Sequence, residues 1–283
     1  MNYLVLAALE IGLLGLLSGV AGTLIVLRRR SFFAVALSHA TFPGGVLFAI
    51  AGWNLLLGQA LFALLLVALM TVLSRVPGQG RQVASGVVLS FGFALGTLLS
   101  SLNPGLGVPV EALLVGSPLS VTTSDVAATA AVLIAATIAM LLWGRRILFH
   151  TFDAVGFRAA GFRAWPVELV VTGVVAAAVV VAMPAVGAIL GVAILIGPAA
   201  AARLVAPRLS WVPPIAAVLG VGSGFVGLWV SRQFGVAAGG AIGCTVTAVF
   251  LLAFLASSLA ATARRARNFA TVEAASEEEG AIA

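Results

Sequence analysis

Residues 32–51 read FFAVALSHATFPGGVLFAIA. The run carries no Asp, Glu, Lys or Arg, and its length suits a helix crossing the ~30 Å hydrocarbon core of a bilayer. One titratable side chain lies inside it, His39, in Ala36-Leu37-Ser38-His39-Ala40-Thr41-Phe42-Pro43-Gly44-Gly45. A fixed charge at that depth costs roughly 2.5–3.5 kcal/mol on insertion scales. Imidazole is cheaper because it can stay neutral, and neutral imidazole is a ligand for zinc and other transition metals. The stretch therefore reads as a membrane span with a polar point on a transport route.

The rest of the chain extends this reading. With 62% apolar and 8% charged residues among 283, and a mean hydropathy of +1.20, an ordinary soluble domain is excluded. The apolar runs are continuous rather than alternating, which favours helices over a barrel. Nine helical runs are expected: Tyr3–Leu27, Phe32–Ala51, Leu55–Leu73, Val83–Ser101, Val126–Trp143, Val167–Ala182, Val186–Val205, Trp211–Val230 and Gly239–Ala261. The sixth and seventh share the turn Met183-Pro184-Ala185, and eight spans is the alternative. No basic leader with a cleavage site precedes the first run, so that run is expected to be retained. The expected fold is all-α, a polytopic transmembrane bundle over residues 1–261, followed by a disordered tail at 262–283. That tail opens with Arg264, Arg265 and Arg267 and turns acidic at Glu273 and Glu277–Glu279.

Every one of the fifteen basic residues is arginine. They gather at the ends of apolar runs, which is a topology signal and argues against a nucleic-acid partner. With the amino terminus outside, all of them except Arg232 fall on one side. That side is read as cytoplasmic, with the carboxyl tail inside. G-x-x-x-G pairs at Gly15/Gly19, Gly92/Gly96, Gly187/Gly191, Gly220/Gly224 and Gly239/Gly243 argue for close helix packing in a compact bundle. The single Cys244 can form no internal disulfide.

Two connections carry information. The cytoplasmic stretch Gly144–Trp165 contains Phe152, Val155 and Ala159 at helical spacing, and Thr151 or Asp153 could cap a short helix there. It is either an interfacial amphipathic helix or a docking helix for a partner. The outer connection Leu102–Asp125 is an ordinary loop, a re-entrant segment or a lid. Missing chemistry narrows the function further. The chain has no lysine, hence no P-loop lysine, and no H-E-x-x-H, paired cysteines or Gly-x-Ser-x-Gly. Glu10 and His39 are the clear titratable groups away from span ends. With Ser38 they are the candidate polar contacts along a substrate route, each on its own level but able to line one cavity. A proton-driven secondary transporter using Glu10 and His39 is the alternative class.

Four strings together resemble the membrane subunit of the zinc/manganese/iron branch of bacterial ATP-binding-cassette importers. They are Leu37-Ser38-His39-Ala40 with Pro43-Gly44, Gly116-Ser117-Pro118-Leu119-Ser120-Val121, Phe152-Asp153 with Ala159-Ala160-Gly161, and Val186–Leu190 running into Ile196-Gly197-Pro198-Ala199-Ala200-Ala201-Ala202-Arg203. The resemblance implies a multi-pass protein of the bacterial cytoplasmic membrane that forms a permease homodimer. It implies two cytoplasmic ATPase subunits and an external substrate-binding protein as partners, with no ATPase site on this chain. Phe152, Asp153, Val155, Ala159 and Gly161 would then belong to the coupling helix. No stably bound cofactor is expected. The cargo would be a divalent transition metal, zinc or manganese, contacted transiently by His39. One departure matters: members commonly carry an acidic residue four positions before this histidine, where Val35 stands here. Either Glu10 or another carboxylate substitutes, or the metal is handled differently, or the same machine carries a non-metal cargo.

Overall fold

The structure, a computed structural model, describes residues 3–74, 76–77, 80–103, 116 and 120–282, with the backbone alone at 81, 189, 261 and 263–282. Among these residues there is no strand. Helices α1 (Tyr3–Leu27), α2 (Ser31–Ile50), α3 (Leu55–Leu73), α4 (Gly80–Leu102) and α5 (Thr123–Phe152) precede a short α6 (Ala154–Ala159). They are followed by α7 (Ala164–Val205), α8 (Val212–Phe234) and α9 (Ala238–Ile282). Among the described residues, eight helices are long and apolar enough to cross a membrane. The surface is apolar as well as the core. Leu141 is 80% and Leu64 67% exposed, whereas Glu10, Thr41 and Thr129 have no accessible surface. Such a surface suits lipid, and the buried polar groups must find partners within the bundle.

Helix α7 is the centre, packing against α1, α2, α3, α5, α8 and α9. It is two arms. Gly187 sits at φ 74°, ψ 174°, a conformation open to glycine but not to residues with a Cβ. A Cβ built on Gly191 would lie 3.2 Å from the Cβ of Ala182. A straight helix separates such residues by roughly 13 Å, so the chain reverses at Gly187. Packing against α1 agrees. Leu24 clusters with Val167 and Val171 of the first arm, and Val26 packs on the cluster of Ala199 and Ala202 in the second. Both ends of α7 therefore lie level with the end of α1. The expected turn at Met183-Pro184-Ala185 is corrected: these residues continue the helix. Proline inside a helix is tolerated where neighbouring helices of a membrane bundle re-satisfy the backbone. The first arm, through Ala188, qualifies as a span; the second, Leu190–Val205, is shorter. The expectation of eight or nine spans thus resolves into eight long helices and one short arm.

Close approaches fix the other crossings. A Cβ on Gly15 would lie 2.7 Å from the Val221 Cα, and one on Gly224 would strike Ile11. The Gly15/Gly19 and Gly220/Gly224 pairs therefore join α1 to α8 within the chain. At this crossing α1 widens into a π-turn, Ser18–Gly22, and Ser18 Oγ reaches the carbonyls of Gly15 (2.7 Å) and Ala216 (3.1 Å). Beyond residue 261, where the bundle is expected to end, α9 continues as helix to Ile282. Residues 262–282 are charged but contain no proline and many Ala, Arg and Glu, all strong helix formers. The expected outer connection falls largely outside the described residues. Within it, Gly116 (φ 68°) is apposed to Val186 and Gly187 so closely that a Cβ would strike their backbone.

Candidate functional site

His39 lies in the first half of α2, which breaks at Thr41 into helices Ser31–Ala40 and Phe42–Ile50. The cause is Pro43. In a continuous helix its N–H would serve the carbonyl of His39, and proline has none. The amide of Gly44 turns to Thr41 O instead, at 3.1 Å. The imidazole and its own main-chain carbonyl thus sit together where the helix has given up a donor. The ring is half-buried, meets Phe93 of α4 edge-on at 6.4 Å, and makes no hydrogen bond among the described residues. Ser38 is buried and its hydroxyl turns back to Val35 O at 2.9 Å. Thr41 Oγ1 reaches Met183 Sδ of α7 at 3.3 Å.

Glu10 is elsewhere. It is fully buried between α1 and α5, where Oε1 accepts from Thr129 Oγ1 at 2.6 Å. Its Oε2 has no hydrogen-bond partner among the described residues. His39 belongs to the contact of α2 with α4, and α7 packs against both α1 and α2. The structure does not bring Glu10 and His39 together. No group of three or more His, Cys, Asp or Glu that could hold a metal occurs among the described residues.

The loop after α5 forms the short helix α6, and Asp153, not Thr151, caps it, with Oδ1 accepting from Gly156 N at 2.7 Å. Gly161, at φ 80°, ends it in the left-handed region. Its outer side carries Val155 (70% exposed), and Phe152, the last residue of α5, stands exposed just before it (62%), with Asp153, Ala159 and Gly161 also exposed. The opposite side inserts Phe157, which is 1% exposed, between Phe149 (ring centroids 5.4 Å) and His150 (5.1 Å). Two apolar side chains are thus held outward at the junction of α5 with an anchored short helix.

Beside this anchor is a polar cluster that the sequence alone did not reveal. Arg28 NH1 donates to Glu168 Oε1 and to His150 Nδ1, both at 3.0 Å. A guanidinium only donates, so Nδ1 accepts here. Arg30 NH2 pairs with Glu168 Oε2, and Arg30 NH1 donates to Thr172 Oγ1 at 2.6 Å. Between the two arginines, Arg29 stands at φ 53°, a left-handed conformation costing a non-glycine residue about 1–2 kcal/mol. Glu168 escaped notice because it stands at a span end, where a carboxylate reads as solvated. Its partners lie far away in sequence.

The chain has extensive similarity to known proteins. The model of the ABC 3 transport family matches residues 1–257. The manganese transport system membrane protein MntC of Halalkalibacterium halodurans is 30% identical over 256 residues, covering 90% of this chain and 88% of that protein. The zinc transport system membrane protein TroC of Treponema pallidum is 35% identical over 229 residues, covering 78% and 77%. The solved structure of PsaBC from Streptococcus pneumoniae in complex with Fab superposes with a TM-score of 0.81 at 29% identity, covering 90% of this chain and 91% of that one. A span-rich α bundle, the α2 histidine motif and a match over nearly the full length agree: the chain belongs to the ABC 3 transport family.

Proposed function

We propose that this chain is the permease subunit of an ATP-binding-cassette importer that carries a divalent transition metal, manganese or zinc, across the bacterial cytoplasmic membrane. The observation that carries the reading is the near full-length match to relatives named for manganese and zinc transport. The geometry supports it in two places. Phe152 at the end of α5 and Val155 on the anchored helix α6 stand outward where an ATPase groove would seat. His39 offers a neutral nitrogen beside a broken helix turn. ATP hydrolysis belongs to two partner subunits, delivery to an external binding protein, and the route to a permease homodimer. The ends of the bundle rich in arginine face the cytoplasm, which puts the amino terminus outside and the carboxyl end inside. Val35, a valine where a second metal ligand would stand, favours one other reading: the same importer with a non-metal cargo.

The test is reconstitution of the permease with its ATPase in liposomes, with manganese and zinc uptake measured in parallel. The parent takes up one of the two, and His39→Ala lowers that uptake severalfold while protein yield and ATPase binding stay at the parent level. Uptake of neither metal by the parent removes the metal assignment. Failure to form a complex with any cassette ATPase removes the permease assignment itself.

A further inference from the structure

The cluster of Arg28, Arg30, His150, Glu168 and Thr172 has no part in the reading above, yet it joins the two places that reading uses. The docking helix α6 inserts Phe157 against the ring of His150. His150 Nδ1 accepts from Arg28, and Arg28 also donates to Glu168. Glu168 in turn holds Arg30, the last residue before α2. The carbonyl of Arg30 receives the amide of Ala34 at 3.0 Å, so the first turn of α2 is built on it. From Ser31 the helix runs unbroken to Ala40, placing His39 about 12 Å further along a rigid rod.

The turn between α1 and α2 shows that this clamp is specific. Arg28 and Arg30 both reach one carboxylate, and Arg29 between them takes a left-handed backbone conformation. Strain of this kind persists only where the surroundings over-determine it. A carboxylate held by two guanidiniums is a charge-assisted, directional joint. The arginine side chains are 7% and 10% exposed and that of Glu168 24%, so the joint is largely withdrawn from solvent and less screened than a surface pair.

We propose that Glu168 is a positioning residue that transmits movement of α6 to the first half of α2. When an ATPase seated on Phe152 and Val155 displaces α6, Phe157 presses His150, and the Arg28–Glu168–Arg30 joint carries the displacement into the start of α2. His39 moves with it. The proposal rests on α6 being the ATPase docking helix and assigns a further role to residues on three other segments.

The test uses the full permease–ATPase complex in liposomes, with manganese or zinc, whichever the parent transports, as the probe. Uptake and ATP hydrolysis are read as a ratio, beside complex assembly. Glu168→Gln keeps the side-chain size but loses the charge. It is expected to assemble and hydrolyse ATP near the parent rate, with metal moved per ATP lowered about tenfold, the scale of one charge-assisted hydrogen bond. A purely structural role would lower assembly, hydrolysis and uptake together and leave the ratio unchanged, which overturns the proposal. Phe152→Ala is run alongside. If it loses assembly or coupling while Glu168→Gln keeps the parent ratio, docking stands and the joint fails. If Phe152→Ala assembles and couples as the parent does, the docking reading itself fails. Should Glu168→Gln not assemble, Thr172→Val removes only the hydroxyl that seats Arg30. A lowered ratio there supports the joint and an unchanged one overturns it.

Discussion

Where α1 turns into α2, side chains from the turn, α5 and α7 hold one another: Arg28, Arg30, His150, Glu168 and Thr172. Deeper in the same bundle, among the described residues, Glu10 has one hydrogen-bond partner, Thr129, and His39 has no hydrogen bond and meets Phe93 edge-on. The two regions spend polarity differently. A cross-connected network fixes geometry, because moving one member disturbs the others. An isolated polar group fixes little, but it keeps capacity to receive something from outside. In the proposed reading, the first pattern serves as the joint and the second lines the route.

The contrast breaks most visibly at Phe157. This ring anchors α6 beside the network, and Phe157→Ala should cost about 3–5 kcal/mol of packing. The unfolding midpoint in detergent should fall and capture of the ATPase should be lost. A variant that unfolds and binds like the parent would show that the network end is not a fixed body. A smaller effect is expected at the isolated end. Thr129→Val removes the one hydrogen bond of Glu10 and should destabilise by roughly 1–3 kcal/mol, the cost of an unsatisfied buried group. Thermal unfolding reads it directly, and an unchanged midpoint would mean that Glu10 draws on another partner. The smallest change sharpens the route. Val35 is half-buried one turn before His39, so Val35→Asp places a carboxylate within reach of the imidazole. The ratio of manganese to zinc uptake should shift about tenfold, or 1.4 kcal/mol. An unchanged ratio would place His39 away from the selective contact.

The spans were legible because continuous apolar runs have one solution in lipid, the helix. The short helix α6 was legible for a local reason: Asp153, Val155 and Ala159 lie within a few residues, and cap and face are read from spacing. Two features were not. The reversal of α7 was assigned to Met183-Pro184-Ala185, since proline is the louder signal. The actual pivot, Gly187, depends on a backbone angle that composition does not encode. The Glu168 joint was invisible for the opposite reason. Arg28 and Glu168 are 140 residues apart, and only the packing of α1 on α7 makes them neighbours. His39 and its difference in level from Glu10 were legible from position along the spans, but which helix each faces was not, because depth along a helix says nothing about which neighbour it meets.

The reversal at Gly187 also bears on how the protein is made. The arm Leu190–Val205 is roughly 24 Å long at 1.5 Å per residue, short of the ~30 Å needed to cross a bilayer core alone. A nascent chain can stop after the first arm, which has both the length and the apolarity of a span, but the second cannot follow as an independent passenger. It has to enter against the first, with Ala182 and Gly191 already in contact. We expect the two arms to insert as a pair, so that the centre of the bundle, on which α8 and α9 pack, is complete only once synthesis has passed Val205.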